Sequence, residues 1–234
     1  MLSEVLASSH GPYLDLSALF PDGVYAYVVL RDNAGVDPET LTAFLRERGR
    51  GVRAVHRVEQ VHSARVVESD GGPCEADGVV VRARGEAARV VTADCVPLLL
   101  AAGDGSAVAA VHAGWKGTLG RIAERGLDAL GVQASSAFAY LGPSVGPCCY
   151  TVDEARYALF ERECPGAAIP SAPGEPRRLD LTAVNVSLLL GRGICADHVS
   201  AESRCTACTV ALCSSYRRDG ERAGRMAAIV GLDS

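Results

Sequence analysis

The chain is short of several residue types, and each shortage narrows its chemistry. Lysine occurs once, so 22 of the 23 basic residues are arginines, and 28 acidic residues bring the net charge to −5. Nucleic-acid binders usually carry a basic footprint and membrane-surface binders a polybasic segment. Neither pattern occurs, so no nucleic-acid or membrane partner is expected. Long apolar runs are missing too: residues 96–102 form one of the longest, far below the roughly 20 residues of a membrane-spanning helix. Residues 1–10 lack the basic start and apolar stretch of a secretory signal, so the expected location is cytoplasmic. Histidine is scarce at five and methionine scarcer at two. A multicopper oxidase spreads many imidazoles over several copper centres, more than this chain holds. A blue-copper site adds a weak axial methionine, for which only Met1 and Met226 are available. The zinc nucleobase-deaminase signature, H-x-E followed by P-C-x-x-C, is absent as well.

Cysteine, by contrast, is abundant. Nine is an odd number, and without an export signal the thiols are expected to be reduced rather than paired in disulfides. Cys205 and Cys208 form a C-x-x-C, but no second such pair completes a zinc site. Cys148 and Cys149 are adjacent, which strains joint ligation of one ion. All four read as packing residues, with a redox or accessory site as the alternative.

A length of 234 residues suits one domain spanning 1–234. Strand-like segments occur at 24–30, 52–58, 65–68, 78–82, 89–92, 137–141 and 226–230. Helical patterns occur at 153–163 and 180–190. A further helix opens on Asp37 and Pro38, an N-cap and first-turn pair, with Leu41, Phe44 and Leu45 on its apolar face. Another is predicted where Leu119, Ile122, Ala123, Leu127 and Leu130 share a face that ends at Gly131. Residues 166–178, with three prolines, read as a surface loop. Strands come in groups rather than in strict alternation with helices, which predicts an α+β class of mixed β-sheets flanked by helices.

Two apolar runs, 96–102 and 107–111, flank Gly103-Asp104-Gly105 and read as a β-hairpin. A turn centred there gives paired positions summing to 207 or 208. Cys95 and His112 then lie opposite or nearly opposite, at the end away from the turn. Facing Cβ atoms are roughly 4.5–5.5 Å apart, a spacing that suits either a shared metal ion or a Cys–His nucleophile pair. His112 runs into Gly114-Trp115-Lys116-Gly117, where the only tryptophan and the only lysine open a helix. Exposed N–H groups and the Lys116 charge there would favour a phosphate.

Five segments occur in order: Gln60-Val61-His62; Thr92-Ala93-Asp94-Cys95-Val96-Pro97; Val111-His112-Ala113-Gly114-Trp115-Lys116-Gly117; Leu141-Gly142-Pro143-Ser144-Val145-Gly146-Pro147-Cys148-Cys149-Tyr150; and Ser215-Tyr216-Arg217-Arg218-Asp219-Gly220. From about 55 to 231 the chain thereby resembles the YfiH-like laccase-domain family. The resemblance implies a single YfiH-like domain and a His-Cys-His metal site, which maps onto His62, Cys95 and His112. It implies zinc as cofactor, with copper as the alternative ion, and purine nucleoside and phosphate as partners. The implied activity is phosphorolysis of adenosine, inosine or methylthioadenosine, together with adenosine deamination. Cys95, His112 and Asp94 are the expected catalytic residues. Gln60, Lys116, Ser144 and Arg217 are the expected substrate and phosphate contacts. The alternatives are a metal-free Cys–His hydrolase or amidase acting on peptidoglycan precursors, and a metal-containing binding protein. Before residue 55 the chain departs from the family: its glycine-rich Thr-Arg segment and Asn-Arg pair are missing. Ser63 also replaces the glycine after the histidine, and Cys213-Ser214 stands where aromatics are usual.

Overall fold

Alternation along the central strands builds a layered structure. The structure, a computed structural model, describes residues 3–31, 35–69, 72, 74–164, 168–169 and 174–234. One sheet runs β1 (Leu6–Ser8), β2 (Gly11–Asp15), β3 (Val24–Val29), β15 (Met226–Leu232), β7 (Glu86–Thr92) and β4 (Ala54–His56). A second runs β14 (Val199–Ala201), β10 (Phe138–Leu141), β8 (Val96–Ala101), β9 (Val108–Ala113), β6 (Gly78–Val81) and β5 (Val66–Glu68). Pairing is antiparallel except at three edges: β4 with β7, β5 with β6, and β10 with β14. The sheets are therefore mixed, as the grouping of strands predicts.

Every residue of β8 and β9 is buried, and the two faces go to different layers. Leu99, Ala101, Val108 and Ala110 pack against Val28, Val90 and Val230 of the other sheet. Leu98, Leu100, Ala109 and Val111 pack against Ile122, Ala123 and Leu127 of α3 (Ile122–Ala129) and Val184 and Leu188 of α5 (Leu181–Gly191). The outer face of the first sheet is covered by Leu41, Phe44 and Leu45 of α1 (Pro38–Glu47). The Asp37 side chain caps α1 by accepting from the Thr40 N–H, which satisfies one of the helix's unpaired first-turn donors. Two sheets thus lie face to face, with helices on both outer sides.

Local differences from the sequence expectation have local causes. The helix expected from Leu119 to Leu130 is split into α2 (Trp115–Leu119) and α3, because Arg121 adopts a left-handed φ of 63°. The 166–178 loop is partly sheet: β12 (Ala168–Ile169) and β13 (Arg177–Leu179) pair beside β11 (Thr151–Val152), while 166–167 and 170–173 lie outside the described residues. The strand expected at 52–58 shrinks to β4. Two N-terminal strands, β1 and β2, carry no strong alternation and were not anticipated. Two further helices, α4 (Glu154–Glu163) and α6 (Tyr216–Asp219), complete the set.

Candidate functional site

The β8–β9 hairpin brings Cys95 and His112 together in a register that differs from the expected one. Pro97 faces His112, and Ala101 faces Val108, so paired positions sum to 209. The turn is longer than Gly103-Asp104-Gly105 alone: the Ala102 N–H donates to the Ala107 carbonyl, closing over 103–106. Cys95 therefore faces Gly114, and His112 sits one diagonal step away. Because side chains alternate with a period of two, Cys95 and His112 still project from the same face, the one turned toward the other sheet. Gly114 explains why that space is open. A Cβ there would lie 3.1 Å from His62 Cδ2 and 3.2 Å from Cys95 Sγ.

His62 arrives from the excursion between β4 and β5, with a left-handed φ of 60°. Asp77, fully buried, holds it there. Its carboxylate accepts from the His62 N–H at 3.0 Å, the Ser63 N–H at 2.5 Å and the Ser63 hydroxyl at 2.8 Å. The same carboxylate lies 2.8 Å from His112 Nδ1. Burial alone would raise the Asp77 pKa, but hydrogen bonds from His112 and Ser63 hold it at about 2. An ionised carboxylate only accepts, so Nδ1 keeps its proton and Nε2 is the nitrogen of His112 that would ligate, once its own proton is displaced.

One ligating atom each from His62, Cys95 and His112 lies within 4.8 Å of the others. Two imidazoles and a thiolate form the donor set of a catalytic tetrahedral site with one open position. Burial pushes the Cys95 thiol up, but His112 and His62 outweigh it and hold it at about 7. Burial pushes His112 down, yet Asp77 and Cys95 raise it to about 9. Without a metal, the pair is a thiolate beside an imidazolium between about pH 7 and 9.

These three residues line a cavity of about 810 Å³, with Arg57, Gln60, Arg89, Asp94, Tyr150, Tyr216, Arg217 and Arg225 among its other walls. Arg89 is 6% exposed, and its Nε has no hydrogen-bond partner among the described residues. Burial, reinforced by the Arg57 charge, lowers its pKa to about 10, so it stays charged at neutral pH. Arg217 donates to the Thr151 carbonyl at 2.9 Å, with its guanidinium carbon 5.4 Å from the Tyr150 ring centre. Arg218 turns away and binds the Thr206 and Cys213 carbonyls and Asp219. Asp94 has a φ of 94°, and its carboxylate accepts from the Thr206 hydroxyl at 2.6 Å and the Arg217 N–H at 2.5 Å. It fixes the cavity wall that carries Arg217.

Other expected residues fall elsewhere. Lys116 is exposed on α2, with its ammonium 5.6 Å from the Trp115 ring centre, and it does not line the cavity. The helix it opens has only five residues, and the arginines lie elsewhere, along the cavity wall. Ser144 is buried and hydrogen-bonds to the Thr182 hydroxyl outside the cavity. Gln60 does line it, but its amide is spent on β7, giving to the Val91 carbonyl and accepting from the Val91 N–H. Cys148, Cys149, Cys205 and Cys208 are not core packing: Cys148 and Cys208 are exposed, and the four thiols converge within 4.8 Å. Sequence reasoning missed Asp77 and the arginines at 57, 89 and 225. An acidic residue directly ahead of the apolar run 78–81 was the one available signal for Asp77.

Known proteins resemble the chain in sequence and in fold. A purine nucleoside phosphorylase named YlmD, from Geobacillus stearothermophilus, is 35% identical over 193 residues, covering 74% of this chain and 70% of that one. A purine nucleoside phosphorylase from Xylella fastidiosa is 32% identical over 244 aligned positions, covering 91% and 94%. The crystal structure of the Geobacillus YlmD superposes with a TM-score of 0.86 over 98% of this chain and 99% of that chain, at 26% identity. The Bacillus licheniformis hypothetical protein YfiH gives 0.79 over 90% and 93%, at 27% identity. The model of the multi-copper polyphenol oxidoreductase laccase family matches residues 29–233, and the chain belongs to that family.

Proposed function

We propose that the chain is a zinc-dependent purine nucleoside phosphorylase that cleaves adenosine, inosine or methylthioadenosine with phosphate. The observation that carries this reading is one cavity holding a His-Cys-His donor set together with four arginines and two tyrosines. The names of the Geobacillus and Xylella relatives support it. The family's copper-oxidase description finds little support here. Of the five histidines, His62 and His112 converge, while His10, His56 and His198 bond to Ser9, Glu86 and the Ala137 carbonyl.

In phosphorolysis a phosphate oxygen bonds to the anomeric carbon while that carbon's bond to the base breaks. The electron pair leaves with the base, which takes up the proton that hydrogen phosphate loses on forming the ester. Arg89 and Arg217, with Arg57 and Arg225 at the rim, hold the phosphate dianion and fix its direction of approach. The faces of Tyr150 and Tyr216 offer flat apolar surface to the purine. Asp94 acts through Arg217 and is a positioning residue. Zinc, held by His62, Cys95 and His112, would supply a Lewis acid at the same cavity.

The test is incubation of zinc-loaded protein with adenosine, with and without phosphate, followed by chromatography with mass detection. Phosphate-dependent adenine and ribose 1-phosphate, lost in Cys95→Ala, are expected; inosine without phosphate would reveal the deaminase activity. No product from any purine nucleoside overturns the reading. The hydrolase alternative draws on the depressed Cys95 thiol beside His112. It requires Cys95 to alkylate freely in metal-loaded protein, whereas a zinc-bound thiolate alkylates only after chelation.

A further inference from the structure

Outside the cavity, two sequence-distant loops meet at four sulfurs. Cys148 and Cys149 belong to the turn after β10, and Cys205 and Cys208 to the turn after β14. The Sγ atoms all lie within 4.8 Å of one another, with Cys208 at 3.7 Å from Cys148 and 3.4 Å from Cys149. In a regular tetrahedron of zinc–sulfur bonds of about 2.3 Å, neighbouring sulfurs stand roughly 3.8 Å apart. From this convergence we propose that Cys148, Cys149, Cys205 and Cys208 bind a second zinc ion, in a structural tetrathiolate site.

The backbone is shaped for it. The objection to adjacent cysteines holds for an extended chain, where successive side chains point to opposite faces. Here the Cys149 and Tyr150 N–H groups both donate to the Gly146 carbonyl, so the segment is a helical turn. Successive side chains then diverge by only about 100°, and both thiols reach the same point. Gly146 leaves room beneath: a Cβ there would lie 3.4 Å from Cys148 Sγ and 3.3 Å from Cys205 Cβ. Its N–H donates to Cys205 Sγ at 3.2 Å. A sulfur that already accepts a backbone N–H in a C-x-x-C turn is oriented to ligate a cation. Arg218 braces the same turn by donating to the Thr206 and Ala207 carbonyls.

The location gives the ion a purpose. The 142–150 segment carries Val145 and Tyr150 into the cavity wall, and the chain beyond Cys208 carries Tyr216 and Arg217. Besides the cysteines, those segments are joined by the Ser144–Cys205 bridge and the Thr206 N–H to Ser144 carbonyl bond. A metal clip there would fix both walls without touching substrate.

Metal counting on full-length protein, purified reduced and zinc-replete, tests the proposal independently of any activity. Two zinc ions per chain are expected in the unaltered protein and one in Cys95→Ala. One is also expected in Cys205→Ser with Cys208→Ser. Should that double variant fail to fold, thiol alkylation of Cys95→Ala decides instead. Cys148, Cys149, Cys205 and Cys208 are expected to resist alkylation until a strong chelator is added, while exposed Cys195 labels throughout. A single zinc that Cys95→Ala removes would overturn the proposal. So would free alkylation of the four thiols in zinc-replete protein, or their recovery as disulfides under reducing conditions.

Discussion

Asp77 Oδ1 lies 2.8 Å from His112 Nδ1, across 35 residues of sequence, with both side chains buried. The same carboxylate ties down the backbone of His62, so one acidic residue orients two of the three proposed ligands. Replacing Asp77 with Asn keeps the shape but puts an amide NH2 against N–H groups that now donate to oxygen. Zinc affinity is expected to fall by about 10- to 100-fold, measured by competition with a chromogenic chelator. Unchanged affinity would mean that Asp77 shapes the backbone alone.

Metal uptake is expected to depend on pH in a definite direction. His112 is raised to about 9 and Cys95 lowered to about 7, so between these values the metal-free site holds a thiolate and an imidazolium. A metal must displace the His112 proton, which costs more as the pH falls below 9. Apparent affinity should therefore rise about tenfold per pH unit from 7 to 9, with about one proton released from this pair, and level off above 9. Calorimetry in buffers of different ionisation enthalpy reads the proton count. A flat profile over that window would remove the ion pair from the account.

Gly114→Ala isolates the space around the site. The residue has φ −75° and ψ 173°, which alanine adopts without strain, so the backbone gives no reason for a loss of stability. The added methyl would press on His62 and on Cys95 Sγ. Zinc content at this site is expected to drop sharply while metal-free thermal stability changes by no more than about 1 kcal/mol. Retained metal with normal affinity would show that His62 can shift to accommodate the methyl.

What could be read in advance follows from how local each relationship is. Cys95 and His112 share one hairpin, so apolar runs and a turn signal place them at its open end. The register was off because Ser106 joins the turn and moves the pairing sum to 209. His62 lies on an irregular excursion that no period describes, and only the resemblance reached it. The arginine wall gathers residues from the end of β4, from β7, from α6 and from the approach to β15. Such an assembly exists only once the sheets are stacked. The cysteine cluster is illegible for a related reason. Adjacency makes two thiols diverge only in an extended chain, whereas Cys148 and Cys149 sit in a helical turn that the pairing of β10 with β14 brings to Cys205 and Cys208.

The arginines give the sharpest test of where phosphate binds. Arg89 is a buried cation that lines the cavity, its Nε without a partner among the described residues, and Lys116 is an exposed cation outside it. A hydrogen bond between charged groups contributes about 1.5–3 kcal/mol, which corresponds to roughly 10- to 150-fold in affinity. Arg89→Met fills similar volume without the charge and relieves a desolvated cation, so the fold is expected to hold and the KM for phosphate to rise within that range. The KM for nucleoside should move much less, because the tyrosine faces remain. Lys116→Met is expected to leave both constants unchanged. If Lys116→Met instead raised the phosphate KM and Arg89→Met did not, the anion would bind at the start of α2, and the arginine wall would need another ligand.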